Sequence, residues 1–147
     1  MTALTVNLPL ALYLSLAHQR GVVDTSVWLG QQSNISSVIF LTPCHSAPLY
    51  SHSHNPHITL DYLTCLPNLA GEEEEGYLDE AEIFYQQPAV ELREKYSEYQ
   101  CVVMFDVLRP SLDLVLAEKG YSLVRTFFHS HLPEGRIGGS VLVLCRY

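Results

Sequence analysis

The fold is indicated most strongly by residues 101–129, CVVMFDVLRPSLDLVLAEKGYSLVRTFFH. The uninterrupted apolar run at 101–105 is typical of a strand that is buried on both faces. Residues 110–119 carry apolar side chains at helical spacing, and Gly120 follows as a C-terminal stop. This helix is expected to turn four apolar side chains inward: Leu112, Leu114, Val115 and Leu116. With a second strand predicted at 121–129, the strand–helix–strand order predicts an α/β domain.

The same alternation continues on both sides of this stretch. Three more strands and three more helices are predicted: strands at 37–41, 57–63 and 140–145, and helices at 24–29, 79–85 and 88–99. Gly30 is expected to end the first of these helices. The connection at 130–139 is short, so the last two strands are predicted to be antiparallel neighbours. The fold class is therefore α/β, a mixed sheet with flanking helices over residues 22–147.

Composition limits the possible functions. The chain has 147 residues, 48% of them hydrophobic, which is enough for one domain with a buried core. Only 8 lysines and arginines stand against 16 acidic residues, so the net charge is −8 and nucleic-acid binding is disfavoured. Four consecutive glutamates at 72–75 predict a solvated loop.

The N-terminal segment differs from the rest of the chain. Residues 1–17 contain no charged side chain, and His18 and Arg20 end the run abruptly. This pattern predicts a helix that contacts membrane, although a complete span needs about 20 apolar residues. A signal peptide is one alternative, because residues 15–17 have a small-x-small pattern, but its basic start is missing. A buried core helix is the other alternative.

Histidines are the main candidates for metal chemistry. Two H-x-H pairs occur, and residues two apart in extended backbone project to the same face. Each pair could supply two ligands to zinc, with a third from nearby. The spacing matches no zinc motif, and histidines at strand ends more often bond to loop carbonyls. The residues concerned are His52 with His54, His129 with His131, and the completing candidates His45, His57 and Glu134.

Two loops are expected to form one binding rim. The tract 43–56 and the block 129–136 both follow apolar strands, and binding loops gather at strand ends in α/β sheets. Arg136 is the best candidate for holding a phosphate. Of the carboxylates, only Asp61, Asp106 and Glu134 lie near strand ends. The rim is predicted to carry a single polar cluster of five side chains: His52, His54, His129, His131 and Arg136.

The four cysteines are spaced too widely for a metal ribbon or a thioredoxin-like motif. Cys101 and Cys145 lie inside apolar strands and are expected to be core residues. Cys44 and Cys65 lie at strand ends and are the pair expected to bond in an oxidising compartment. Cys44 beside His45 is a weaker candidate for a thiol nucleophile, because sequence neighbours seldom face each other. The disulfide state of all four remains open at this point.

Five blocks of sequence, in order, resemble the C-terminal part of the third mannosyltransferases of GPI-anchor synthesis. They are LPLALYLSLAHQRG at 8–21, PCH at 43–45, YSHSH at 50–54, YLDEA at 77–81 and FFHSHLPEGRIG at 127–138. The last block is the most specific. The resemblance implies an enzyme of the endoplasmic reticulum membrane that uses dolichyl-phosphate mannose to add the third mannose, in α-1,2 linkage, to a GPI precursor.

By this resemblance, residues 1–21 are the end of a transmembrane helix and residues 22–147 form a lumenal domain. The family's catalytic carboxylate is expected in an earlier lumenal loop that this sequence does not contain. No catalytic, cofactor-binding or metal-binding residue is therefore assigned, and residues 1–147 alone are expected to be inactive. Asn34, Ile35 and Ser36 form a glycosylation acceptor, which is meaningful only in a lumenal or secreted setting.

Three hypotheses of function follow from these observations. The first is the lumenal domain of a mannosyltransferase, with the membrane contacted through residues 1–17. The second is a truncated, non-catalytic interaction domain. The third is a metal-dependent enzyme built on the histidine pairs, which requires stoichiometric metal that is lost when His52 and His129 are changed to alanine.

Overall fold

A computed structural model describes residues 2–68 and 76–147 of the chain. Side chains of the first helix are described from Leu4 onward. The predicted acidic loop at 72–75 lies outside the described residues.

A five-stranded mixed sheet forms the centre of the domain. Its strands are β1 (Ser37–Phe40), β2 (Thr59–Tyr62), β3 (Cys101–Phe105), β4 (Ser122–Phe128) and β5 (Ser140–Cys145). Their order across the sheet is β2-β1-β3-β5-β4. The strands β2, β1 and β3 are parallel to one another, whereas β5 is antiparallel to both β3 and β4. The predicted mixed sheet, and the antiparallel pairing of the last two strands, are confirmed.

The α-helices are α1 (Thr2–Leu16), α2 (Gly21–Gly30), α3 (Tyr50–Ser53), α4 (Glu80–Gln86), α5 (Pro88–Glu91) and α6 (Arg109–Glu118). Of these, α2 covers one face of the sheet and α4–α6 cover the other. A π-helical turn at Leu92–Tyr96 continues α5, and a 3₁₀ turn at Asp106–Leu108 precedes α6. The helix predicted at 88–99 therefore ends earlier, at Tyr96, and changes from an α-helix to a π-helix after Glu91.

Two hydrophobic cores lie on opposite faces of the sheet. Val141 and Val143 of β5 join the core beneath α2, whereas Leu142 and Leu144 join the core beneath α4–α6. This double burial explains why β3 and β5 are continuous apolar runs. One prediction for α6 is wrong: Leu114 is 88% exposed. Leu112, Val115 and Leu116 are buried as predicted and cover the inward arc, so Leu114 is left facing outward.

The first helix stands apart from both cores. Its leucines are exposed around the whole helix, from Leu4 at 72% to Leu16 at 59%. The alternative of a buried core helix is thereby excluded for the described side chains. Within the described ranges, the chain contains no helix long and apolar enough to cross a membrane.

Loops from several strands meet at one edge of the sheet, called the strand-end rim below. It is formed by the residues after β1 (41–49), after β2 (63–68), after β3 (106–108) and between β4 and β5 (129–139). Parallel β1, β2 and β3 all end here, and antiparallel pairing brings the end of β4 to the same edge. Ligands of α/β sheets bind at such carboxyl ends of strands.

Candidate functional site

Two polar side chains of the strand-end rim, and a third in the helix link beside it, have buried atoms without hydrogen-bond partners. Asp106 directly follows β3, His129 directly follows β4, and His18 lies in the link between α1 and α2. The atoms are Oδ1 of Asp106 and Nδ1 of both histidines. A buried polar group left unpaired costs about 1–3 kcal/mol. These three residues, called the His–Asp cluster below, are therefore the candidate functional site.

Backbone hydrogen bonds hold the cluster in place. The amide of Gln19 donates to the carbonyl of His129 at 2.7 Å, which joins the α1–α2 link to the end of β4. The amides of His129 and Ser130 both donate to the carbonyl of Gly139, at 2.8 and 3.1 Å. These bonds fix the backbone on both sides of the His129 ring.

Gly138 makes room for the Asp106 carboxylate. A Cβ atom at Gly138 would collide with Oδ1 of Asp106 and would lie 3.1 Å from the Cβ atom of Phe105. Any side chain at this position would displace the carboxylate from the cluster.

Burial determines the charge state of His129. His129 is only 4% exposed and packs with its ring centroid 4.8 Å from that of Phe105. Burial and the nearby His18 lower the pKa of His129, whereas the charge of Asp106 opposes this shift. The His129 imidazole is therefore neutral at neutral pH. The Asp106 carboxylate accepts hydrogen bonds, and a neutral imidazole has one donor nitrogen and one acceptor nitrogen. Together they suit a hydroxyl group, which both donates and accepts.

A second contact joins α1 to the rim beside this cluster. The hydroxyl of Tyr13 and Nδ1 of His131 share a hydrogen bond of 2.6 Å. The His131 ring also lies 4.5 Å from the ring of Phe128, centroid to centroid. Aromatic faces therefore flank the polar groups at the end of α1.

The two histidine pairs are not brought together. His52 lies in α3 and His54 just after it, so this pair occupies a helical turn and not the extended backbone that was predicted. The His52 pair lies beside the C-terminal end of α2, because a Cβ at Gly30 would meet the backbone of Ser53 in α3. The His129 pair lies beside the N-terminal end of α2, because a Cβ at Gly21 would lie 3.0 Å from the Cβ of His129. The two ends of α2 are about 14 Å apart. The prediction of one cluster containing both pairs is wrong.

Other predicted binding residues have separate partners. The Arg136 guanidinium lies 4.4 Å from the centre of the Tyr85 ring. Burial raises the pKa of Tyr85 to about 12, although the charge of Arg136 opposes this. Asp61 accepts a hydrogen bond of 2.8 Å from Tyr99. Glu134 is exposed in the β4–β5 connection.

All four cysteines are paired. Cys44 and Cys65 form the disulfide that was expected in an oxidising compartment, beside the loop after β1. Cys101 and Cys145 form a second disulfide between directly opposed positions of β3 and β5. Both of these residues are fully buried, so their predicted place in the core is confirmed.

Neither histidine pair belongs to a potential metal-binding group in the part of the chain that the structure describes. The one such group found there consists of Cys44, His45 and Cys65. A metal site on the H-x-H pairs therefore has no support from the geometry.

The glycosylation acceptor lies on the surface. Asn34 is exposed in the loop between α2 and β1, whereas Ile35 is buried. The Ser36 hydroxyl and the Asn34 carbonyl both bond to the side chain of Gln100, at 3.0 and 2.8 Å.

Sequence reasoning only partly identified the His–Asp cluster. The sequence indicates that Asp106 and His129 lie at strand ends, but it indicates His18 only as the polar end of the first segment. The available signal was an acidic residue directly after one buried strand and a histidine directly after another, because both must reach a sheet edge.

Comparison with known proteins gives matches over nearly the whole chain. The chain is 37% identical to the GPI alpha-1,2-mannosyltransferase 3 of Danio rerio over 153 residues, and this match covers 97% of the chain and 28% of the relative. It is 36% identical to the protein of that name from Homo sapiens, over 93% of the chain and 26% of the relative. The GPI mannosyltransferase 3 of Yarrowia lipolytica is 35% identical, over 94% of the chain and 31% of the relative. No protein-family model and no solved structure matches the chain.

The chain is thus homologous to mannosyltransferases. More particularly, it is homologous to a segment of the GPI alpha-1,2-mannosyltransferase 3 proteins, which confirms the resemblance found in the sequence. The chain spans about a quarter to a third of the length of the curated relatives that it matches.

Proposed function

We propose that residues 22–147 are the lumenal C-terminal domain of an α-1,2-mannosyltransferase of the endoplasmic reticulum membrane. The complete enzyme would add the third mannose to a GPI precursor, with dolichyl-phosphate mannose as donor. The observation that carries this proposal is similarity over 93–97% of the chain to proteins named for this activity. The match covers 26–28% of those relatives, and we assign catalysis to the part of the enzyme outside it.

In this proposal, α1 is the end of a transmembrane helix. Its 15 residues span about 22 Å, which is less than the ~30 Å of a bilayer's hydrocarbon core. The exposed leucines favour lipid contact, since no part of the described domain covers them. Residues 1–17 would then lie in the membrane, and Arg20 would mark the return to water.

The His–Asp cluster lies where α1 leaves the membrane in this arrangement. Tyr13 is bonded to His131 of the rim, and Gln19 is bonded to His129. The rim would therefore face the bilayer surface, where the sugars of a lipid-linked acceptor are located. Hydroxyl groups of such a glycan suit the carboxylate and the neutral imidazole. We assign the cluster a role in holding the acceptor, not in bond cleavage.

The proposal is tested with the Homo sapiens GPI alpha-1,2-mannosyltransferase 3 in which the matching segment has been replaced by residues 1–147, called the exchanged protein below. In cells that lack this enzyme, the exchanged protein should restore GPI-anchored proteins to the cell surface. Asp106→Asn and His129→Gln in the exchanged segment should reduce the restoration. Asp113→Asn and His57→Gln are matched controls, because both residues are exposed and lie outside the cluster.

Three outcomes would contradict the proposal. The first is an exchanged protein that is present in the membrane at normal abundance and transfers no mannose. The second is equal loss of activity in the cluster variants and in the controls, which would remove the role of the His–Asp cluster. The third is mannose transfer by residues 1–147 alone, which would overturn the assignment of catalysis to the rest of the enzyme.

A further inference from the structure

Three side chains that commonly bind metals meet at another part of the strand-end rim. The Sγ atoms of Cys44 and Cys65 and a ring nitrogen of His45 all lie within 4.8 Å of one another. Both cysteines are half-buried and His45 is exposed, so the group is open to solvent on one side. The two sulfurs are joined as a disulfide, with the Cα atoms 6.1 Å apart.

Local backbone geometry explains how His45 joins this group. Adjacent residues in extended chain point in opposite directions, which would turn His45 away from Cys44. His45 instead has a φ of +62°, in the left-handed region that non-glycine residues seldom adopt. The turn brings the imidazole back beside the sulfurs. Non-glycine residues in this conformation are often found at functional sites.

We propose that Cys44, His45 and Cys65 form a redox-gated site for a divalent cation of the zinc class, closed by the disulfide and opened by its reduction. Two thiolates and one imidazole are a known ligand set for zinc, and they leave a fourth tetrahedral position open. Thiolates on a tetrahedral zinc ion lie about 3.8 Å apart. Rotation about the side-chain bonds reaches that separation from Cα atoms that are 6.1 Å apart.

The surroundings provide room for a ligand at the open position. Cys44 and His45 line a cleft of about 240 Å³ together with Thr42, Ser46 and Tyr62. The Ser46 hydroxyl donates to that of Thr42 at 2.8 Å. The cleft is thus large enough for several water molecules. The chain's net charge of −8 also favours cations over anions near its surface.

The gating step is a thiol–disulfide exchange with a dithiol reductant. The dithiol passes two electrons and two protons to the Cys44–Cys65 bond and is itself oxidised to a disulfide. Binding of the cation then displaces both thiol protons. The other disulfide, Cys101–Cys145, provides an internal contrast, because both of its residues are fully buried. It is expected to survive mild reduction and to hold β3 and β5 together.

The test uses the full chain with cobalt(II) as a spectroscopic substitute for zinc. The oxidised chain and the chain treated anaerobically with a mild dithiol are each titrated with cobalt, after circular dichroism has confirmed that the fold persists. The reduced chain should show two accessible thiols, bind one cobalt ion and display thiolate charge-transfer bands with tetrahedral visible bands. The oxidised chain should show none of these bands. Zinc should displace the cobalt and slow alkylation of the two thiols.

Substitutions then identify the ligands. Cys65→Ser should abolish the charge-transfer bands of a two-thiolate site. His45→Asn should weaken cobalt binding at least tenfold, and asparagine is chosen because it tolerates the left-handed φ of this residue. His57→Ala is the matched control, because it removes another exposed imidazole outside the group.

Three results would overturn the proposal. The first is a folded, reduced chain that binds no cobalt. The second is equal weakening by His45→Asn and His57→Ala. The third is loss of the fold on reduction of Cys44–Cys65, since the site depends on the native loops after β1 and β2.

Discussion

Replacing Gly30 with alanine should destabilise the domain, because two backbones approach each other closely at this residue. Gly30 is the last residue of α2, and a Cβ built there would clash with the carbonyl oxygen of Ser53 in α3. It would also lie 2.8 Å from the carbonyl carbon and 2.9 Å from the Cα of Ser53. All three neighbours are backbone atoms, so no side-chain rotation relieves the contact. Carbon atoms pack at about 3.5–4.0 Å, so α2 and α3 must move apart by about 1 Å.

Two opposing effects determine the magnitude. Alanine is favoured over glycine in a helix interior by about 1 kcal/mol, and by less at the last residue, where Gly30 lies. Overpacking costs about 1–3 kcal/mol, and separation of α2 from α3 would also loosen the contacts of fully buried Leu29. A net loss of about 1–2 kcal/mol is therefore expected. With an unfolding entropy of about 2.1 cal/mol/K per residue, this corresponds to a Tm lower by about 3–6 °C.

Thermal unfolding followed by circular dichroism, in one detergent buffer for all variants, measures this difference. Gly76→Ala is the matched control, since a Cβ at Gly76 would meet nothing within 4 Å. Its effect should stay within about 0.5 kcal/mol. If Gly30→Ala unfolds at or above the wild-type temperature, the close approach of α2 and α3 does not exist in solution.

Three further predictions concern the site, the first helix and the surface. Because the pKa of His129 is lowered, its contribution to stability is present above the unfolded pKa of about 6.5 and is lost as pH falls below it. The Tm of the wild type should therefore fall further than that of His129→Gln between about pH 7.5 and 5.5. An equal fall in both proteins would contradict the buried neutral state. Leu12→Asp should reduce co-sedimentation of the chain with phospholipid vesicles, whereas Leu114→Asp, on the 88%-exposed site of α6, should not; equal effects would count against membrane contact through α1. In translation with microsomes, the chain placed in the lumen should gain one glycan that endoglycosidase removes and that Asn34→Gln prevents, and an unshifted wild-type band would refute glycosylation of this acceptor.

The central strands could be predicted because a strand that is buried on both faces is a continuous run of apolar residues. The prediction of 101–105 agrees with Cys101–Phe105, and that of 140–145 agrees with Ser140–Cys145. Each of these strands contributes to both cores, so nearly every position must be apolar. Strands nearer the edges carry weaker signals, and β2 is accordingly shorter than the predicted 57–63, at Thr59–Tyr62.

Features that depend on distant contacts could not be predicted in the same way. The turn that contains His52 is helical and packs against the end of α2, a contact between segments that the local H-x-H spacing does not encode. Gly30 ends α2 as predicted, but the local sequence does not show that the approach of the Ser53 backbone also requires a glycine there. The Cys101–Cys145 bond likewise depends on β5 pairing with β3 in a register that opposes these two residues.

The polarity of the sheet explains why both candidate sites lie at one edge. Parallel strands can be connected only by crossovers that begin where each strand ends, so β1, β2 and β3 release their loops at the same edge. Strand β4 runs in the same direction as β3, because both are antiparallel to β5, so β4 also ends at that edge. This places His129 near Asp106. The link from α1 attaches there as well, through the bond between Gln19 and His129. In the proposed orientation, a lipid-linked substrate approaching from the bilayer would therefore meet the polar strand ends before any other part of this domain.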